Sequence, residues 1–182
     1  HLAGNHERQV LHLHAKSGAS DSYAHSQLSS TEFEWMASLP FVRPLNDDVL
    51  LCHGTPTSDI TYLLQTADQS ATPAEIATRL GPVTESLVLC GHTHVPRSVR
   101  SGVTLIVNPG SVGHPAYADT YPRPHVVETG SPDARYAIVE KRNGDWVADL
   151  ISVPYACREM AELARLRNRP DWVCALLTGY MA

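Results

Sequence analysis

The chain has 182 residues, 43% hydrophobic and 18% charged, a balance that suits one globular domain over residues 1–182 and excludes a disordered or membrane-embedded chain. A net charge of -5 argues against a nonspecific nucleic-acid surface, which needs many Lys and Arg on phosphates. No apolar stretch is long enough to span a bilayer and no basic-then-apolar leader is visible, so the cytoplasm is the expected compartment.

Leu2-Ala3 reads as a strand end, broken at once by Gly4-Asn5-His6-Glu7. Lys16 to Gln27 reads as a polar loop near the pocket, with His12, His14 and His25 solvated. Ser29 and Glu32 form a capping box and Leu28 and Phe33 a hydrophobic staple, so a helix follows, with Phe33, Met36 and Leu39 on one face and Pro40 as its stop. Val49-Leu50-Leu51-Cys52 is a short buried strand that delivers His53-Gly54. A second helix opens on Thr72-Pro73-Ala74-Glu75, with an N-cap Thr, a proline at the first helical position and a reciprocal Glu, and ends at Gly81-Pro82. Leu87–Cys90 is the next buried strand, and the strand-helix-strand order favours parallel pairing with Val49–Cys52.

Val103–Val107 reads as a further buried strand, turned back by Asn108-Pro109-Gly110-Ser111. Val112–Asp133 carries four of the thirteen prolines and no periodicity, and reads as a long loop, either plain surface or a substrate lid. Ala134–Lys141 and Asp145–Val153 form a hairpin through Asn143-Gly144. A helix over Cys157–Arg169 ends at Pro170, and an amphipathic stretch, Asp171 to Leu177, stops at Gly179. The four cysteines show no Cys-x-x-Cys spacing, and Cys52 and Cys90 read as reduced packing residues.

Three apolar runs therefore break in the same way, into Gly4-Asn5-His6-Glu7, His53-Gly54 and Gly91-His92-Thr93-His94. Ligand sites in open α/β sheets lie beyond the carboxyl ends of the strands, so these Asn and His residues are expected to converge. In extended backbone His92 and His94 point the same way and suit a pair of metals about 3.5–4 Å apart. An isolated His-x-His can equally be two polar residues closing a strand. Imidazole nitrogens and a side-chain carbonyl suit divalent Mn, Fe, Co, Ni or Zn.

The set Gly4-Asn5-His6-Glu7, His53-Gly54, Gly91-His92-Thr93-His94 and Asn108-Pro109-Gly110-Ser111 resembles the calcineurin-like metallophosphoesterases, most of all their small bacterial and archaeal phosphodiesterase branch. The resemblance implies an α/β sandwich of two mixed β-sheets flanked by helices, and metal-dependent hydrolysis of a phosphodiester or related ester in a small phosphorylated substrate. It implies two divalent transition metals, one held by Asn5, His53 and His92 and the other touched by His94, with a bridging hydroxide as nucleophile. His6 would protonate the leaving oxygen, with Glu7 available to orient its ring. Arg97 reads as a surface salt-bridging arginine.

The family's two earlier motifs, an Asp-x-His and a Gly-Asp pair, have no counterpart in these residues, so its opening strand-helix-strand unit is expected to be missing. Those motifs supply the aspartate that bridges both metals. Three readings follow: a longer enzyme of which this is a part, a mononuclear or inactive protein, and a scaffold or binding module. The intact state of every retained motif favours the first.

Overall fold

The computed structural model describes residues 1–182. Its centre is a five-stranded mixed sheet of order β1-β2-β3-β5-β4, formed by β1 (Val42–Asn46), β2 (Val49–Cys52), β3 (Leu87–Leu89), β4 (Arg97–Ser101) and β5 (Thr104–Asn108). The pair β2-β3 is parallel, as the helix between them in the chain requires, β3-β5 is parallel with the edge strand β4 between them in the chain, and β1 and β4 are antiparallel edges.

The apolar runs of β2, β3 and β5 are buried on both faces, and period-two alternation divides them between two cores. Leu50, Cys52, Val88, Cys90 and Ile106 face Leu63, Leu64, Ile76 and Leu80, the last two from helix α4 (Pro73–Leu80). Val49, Leu87, Leu105 and Val107 face Ala137, Val139, Trp146 and Ala148 of an antiparallel ribbon, β8 (Ala134–Arg142) and β9 (Asp145–Val153). Each fully buried Val, Leu or Ile among them contributes about 1.5–3 kcal/mol. The chain is thus a sandwich in which the mixed sheet faces a second β layer that consists of this ribbon alone. Trp146 Nε1 donates to Ser86 Oγ at 2.9 Å and Lys141 pairs with Asp48 at 2.6 Å, which fixes the ribbon over the sheet.

The capping boxes at Ser29 and Thr72 form as read, opening α3 (Ser30–Ala37) and α4, and Asn143 and Gly144 both take positive φ in the β8-β9 turn. At the carboxyl end α5 (Cys157–Leu166) and α6 (Pro170–Thr178) pack through Ala161, Ala164 and Leu176. Gly179 closes α6 in the left-handed conformation, and a Cβ there would lie 2.2 Å from Ser131 N. No helix is long and apolar enough to cross a membrane.

The structure departs from four of the sequence-based expectations and adds one strand, β1. Residues 1–4 form no strand, and Ala3 N reaches only Pro40 O at 2.9 Å before helix α1 (Asn5–Leu11) begins. Part of the expected polar loop is helix α2 (Ala19–Gln27), invisible as a pattern because Ser and Asp are poor helix formers and no apolar stripe marks it. Strand β1 escaped notice because it contains Pro44, which an edge strand tolerates at its bulge. The strand placed at Val103 begins at Thr104. Val103 instead tips a hairpin with the polar edge strand β4. The long loop over Val112–Asp133 contains a two-stranded ribbon, β6 (Ala116–Asp119) and β7 (His125–Glu128).

Candidate metal centre

All five residues singled out in the sequence, Asn5, His6, His53, His92 and His94, line one cleft of about 1400 Å³. Asn5 opens helix α1 and is buried, with its Oδ1 2.8 Å from His53 Nε2. Gly4 permits that approach, since a Cβ there would sit 2.7 Å from His53 Nδ1. Arg8, one turn further along α1, grips Asp59 through two bonds of 2.6 and 3.1 Å, which locks the helix to the loop that leaves His53. The ring of His92 lies 5.0 Å from that of His53.

His92 and His94 reach the cleft by a route other than strand alternation. Strand β3 ends at Leu89, and both histidines take left-handed backbone, with φ of 67° and 59°. Such conformations cost about 1–3 kcal/mol each in non-glycine residues and persist where surrounding contacts impose them. Here Asn108 Nδ2 donates to Gly91 O at 2.7 Å and to Thr93 Oγ1 at 3.0 Å, so Asn108 staples the turn from β5. The hydroxyl of Tyr117 on β6 donates to His92 O at 3.3 Å.

The ring nitrogens are held in defined tautomers. His94 Nδ1 donates to His114 O at 2.9 Å and His92 Nε2 to Ile60 O at 3.2 Å, which leaves the opposite nitrogen of each ring with its lone pair free. Burial lowers the pKa of His92, His94 and His53, the last to about 4, with neighbouring histidines adding to the effect at His53. All three are neutral at pH 7, the form that binds a cation.

His6 stands at the cleft wall with its side chain two-thirds exposed, and its Nδ1 is 2.7 Å from Asp21 Oδ1. Asp21 lies on α2, a helix that no apolar stripe marks in the sequence, so nothing in the sequence pairs it with His6. Glu7, expected to orient His6, instead caps its own helix by accepting from Gly4 N at 2.7 Å. Arg97 makes no salt bridge, and its guanidinium donates to Leu64 O.

Solved structures share this architecture. A metallophosphoesterase from Sphaerobacter thermophilus aligns with a TM-score of 0.72 at 20% identity, covering 96% of this chain and 74% of that one. A hypothetical protein from Pyrococcus horikoshii OT3 aligns with a TM-score of 0.73 at 16% identity, covering 100% of this chain and 73% of that one. The fold is that of the metallophosphoesterases. Residues 2–130 match the sequence model of the calcineurin-like phosphoesterase superfamily domain, and the chain belongs to that superfamily. No curated protein matches the sequence significantly.

Members of this superfamily generally bind divalent metals, and the donors at hand fit one such ion in part. Asn5 Oδ1 and His53 Nε2 are hydrogen-bonded at 2.8 Å, which brings together a side-chain carbonyl and an imidazole, donor types that would suit a divalent transition metal. The carbonyl-anchored tautomers of His92 and His94 match the outer-shell pattern of ligating histidines. No three His, Cys, Asp or Glu side chains converge closely enough to hold an ion by themselves.

Proposed function

We propose that the protein hydrolyses a phosphodiester or related phosphate ester with divalent transition metal as cofactor. The observation that carries this reading is the Asn5-His53 contact at 2.8 Å, flanked by two neutral, tautomer-fixed histidines, in a cleft whose wall holds a carboxylate-paired histidine. Asn5, His53 and His92 would hold one ion and His94 would contact a second. A divalent ion bound there supplies Lewis-acid stabilisation of the phosphoryl oxygens and activates water. His6 gives its Nε2 proton to the departing oxygen as the P–O bond breaks, and Asp21 keeps Nδ1–H engaged so that Nε2 faces the substrate.

A second reading, a single-metal or binding protein on the same fold, is favoured by the fact that no three His, Cys, Asp or Glu side chains group closely enough to hold an ion. Metal analysis of the purified protein with Mn²⁺-dependent hydrolysis of an aryl phosphodiester separates the two. Turnover that scales with bound metal and fails in His6→Ala supports the enzyme, whereas tight metal binding without turnover supports the second reading.

A further inference from the structure

The ribbon β6-β7 places three polar side chains around one buried hydroxyl. Tyr62, 5% exposed, lies on the segment that follows β2. Its hydroxyl donates to Asp119 Oδ2 at 2.9 Å, and lies 3.2 Å from Tyr117 Oη and 3.0 Å from His125 Nε2. Tyr117 and Asp119 share one face of β6 by period two, and Asp119 pairs across the ribbon with His125. The convergence is thus set by the register of the ribbon. Burial raises the pKa of both tyrosines, Tyr117 to about 12, so both hydroxyls keep their protons at pH 7.

This cluster touches the histidine turn at three points, and His114 adds a fourth. The Tyr62 ring packs edge-on against His92 at 5.1 Å, and the Tyr117 ring against His94 at 5.3 Å. Tyr117 donates to the carbonyl of His92, and His114, just ahead of β6, accepts from His94. Both left-handed histidines are therefore braced from the same ribbon.

We propose that Tyr62, Tyr117 and Asp119 are positioning residues for the metal-binding histidines, and that the ribbon β6-β7 is a fixed brace of the site. The hydroxyl cluster sets the height of the ribbon against Tyr62, and Tyr117 transmits that setting to His92 and His94. The inference rests on the proposed metal site for its functional consequence, while the brace itself can be read without metal.

The test uses Tyr117→Phe and Tyr62→Phe, which delete one oxygen each and keep the rings. Outer-shell partners of a metal site are typically worth about 10–100-fold in affinity, and we expect a loss of that size in Mn²⁺ or Zn²⁺ affinity by calorimetry. Ile76→Val in the core under α4 is the control, since it trims stability by about 0.5–1.5 kcal/mol and should leave metal affinity unchanged. In metal-free protein, Tyr117→Phe should shift the ring proton resonances of His92 and His94, which the control should not move. Unchanged affinity and unmoved resonances in both tyrosine variants overturn the brace. Should the wild-type protein bind neither metal, the proposed cofactor falls, and the resonances alone decide: shifts sustain the brace and their absence removes it.

Discussion

The contact between His6 and Asp21 makes a demand that activity measurements can meet or refute. Asp21 is buried, its 2.7 Å bond holds the only polar contact of the His6 ring, and that ring is otherwise largely in solvent. Asp21→Asn keeps the volume and an acceptor oxygen but removes the charge. A hydrogen bond to a charged group is worth about 1.5–3 kcal/mol and a neutral one about 1. The difference of about 0.5–2 kcal/mol converts to roughly a 2–30-fold loss in kcat, at about 1.4 kcal/mol per decade. His6→Ala, which removes the acid itself, should cost about 10²–10⁴. The assay is hydrolysis of two phosphodiesters under saturating Mn²⁺, one with a nitrophenolate leaving group and one with an alkoxide. The alkoxide ester should show the larger loss, because it depends more on protonation as the bond breaks. In the His6→Ala background Asp21→Asn should have almost no further effect, since residues that act as a unit are non-additive. Equal losses with and without His6 would refute the pairing as a catalytic device and leave Asp21 a structural residue of α2.

Other outcomes follow from single contacts. Gly4→Ala places a Cβ 2.7 Å from the His53 ring, so it should weaken metal binding by tenfold or more in calorimetry while circular dichroism stays unchanged. Gly179→Ala combines a φ of 75° with a clash against the Ser131 backbone, and should lower stability by about 1–3 kcal/mol in urea unfolding. Burial, with His94 and Arg169 adding to it, lowers the His114 pKa to about 4, so the unfolded chain takes up a proton that the folded one refuses. Stability should therefore fall as pH drops from about 6.5 towards 4, and His114→Phe, which keeps a ring against Trp172, should make that fall shallower in acid unfolding curves. Chelation should abolish turnover, and Mn²⁺ or Zn²⁺ should restore it.

What the sequence made legible follows a physical division. The central strands β2, β3 and β5 are buried on both faces, so each had to be a continuous apolar run bounded by turn formers, and such runs are visible without a structure. Helices with capping boxes were equally plain, because their termini carry their own hydrogen-bond partners. The elements without a clear sequence signal, α2, β1, β4, β6 and β7, are short, polar or edge elements that carry no sustained apolar period. Their conformation is imposed by neighbours: α2 by packing on α1, and the ribbon β6-β7 by the hydroxyl of Tyr62.

The same division explains the site. Asn5, His53, His92 and His94 were found because each follows an apolar run at a glycine, a local signal. An extended strand, however, does not carry His92 and His94 into that pocket, since β3 ends at Leu89. Two left-handed residues do, and these are costly unless contacts from Asn108, Tyr117 and His114 hold them. Asn108 stands in the motif Asn108-Pro109-Gly110-Ser111, but Tyr117 and His114, with Asp21 and Tyr62, are distant in sequence from the motifs they serve and bear no pattern of their own. A short motif can thus name the atoms that meet a ligand. The energy that keeps those atoms in place comes from residues recognisable only once the chain has folded, and it is at these residues that substitutions should separate binding and turnover from stability.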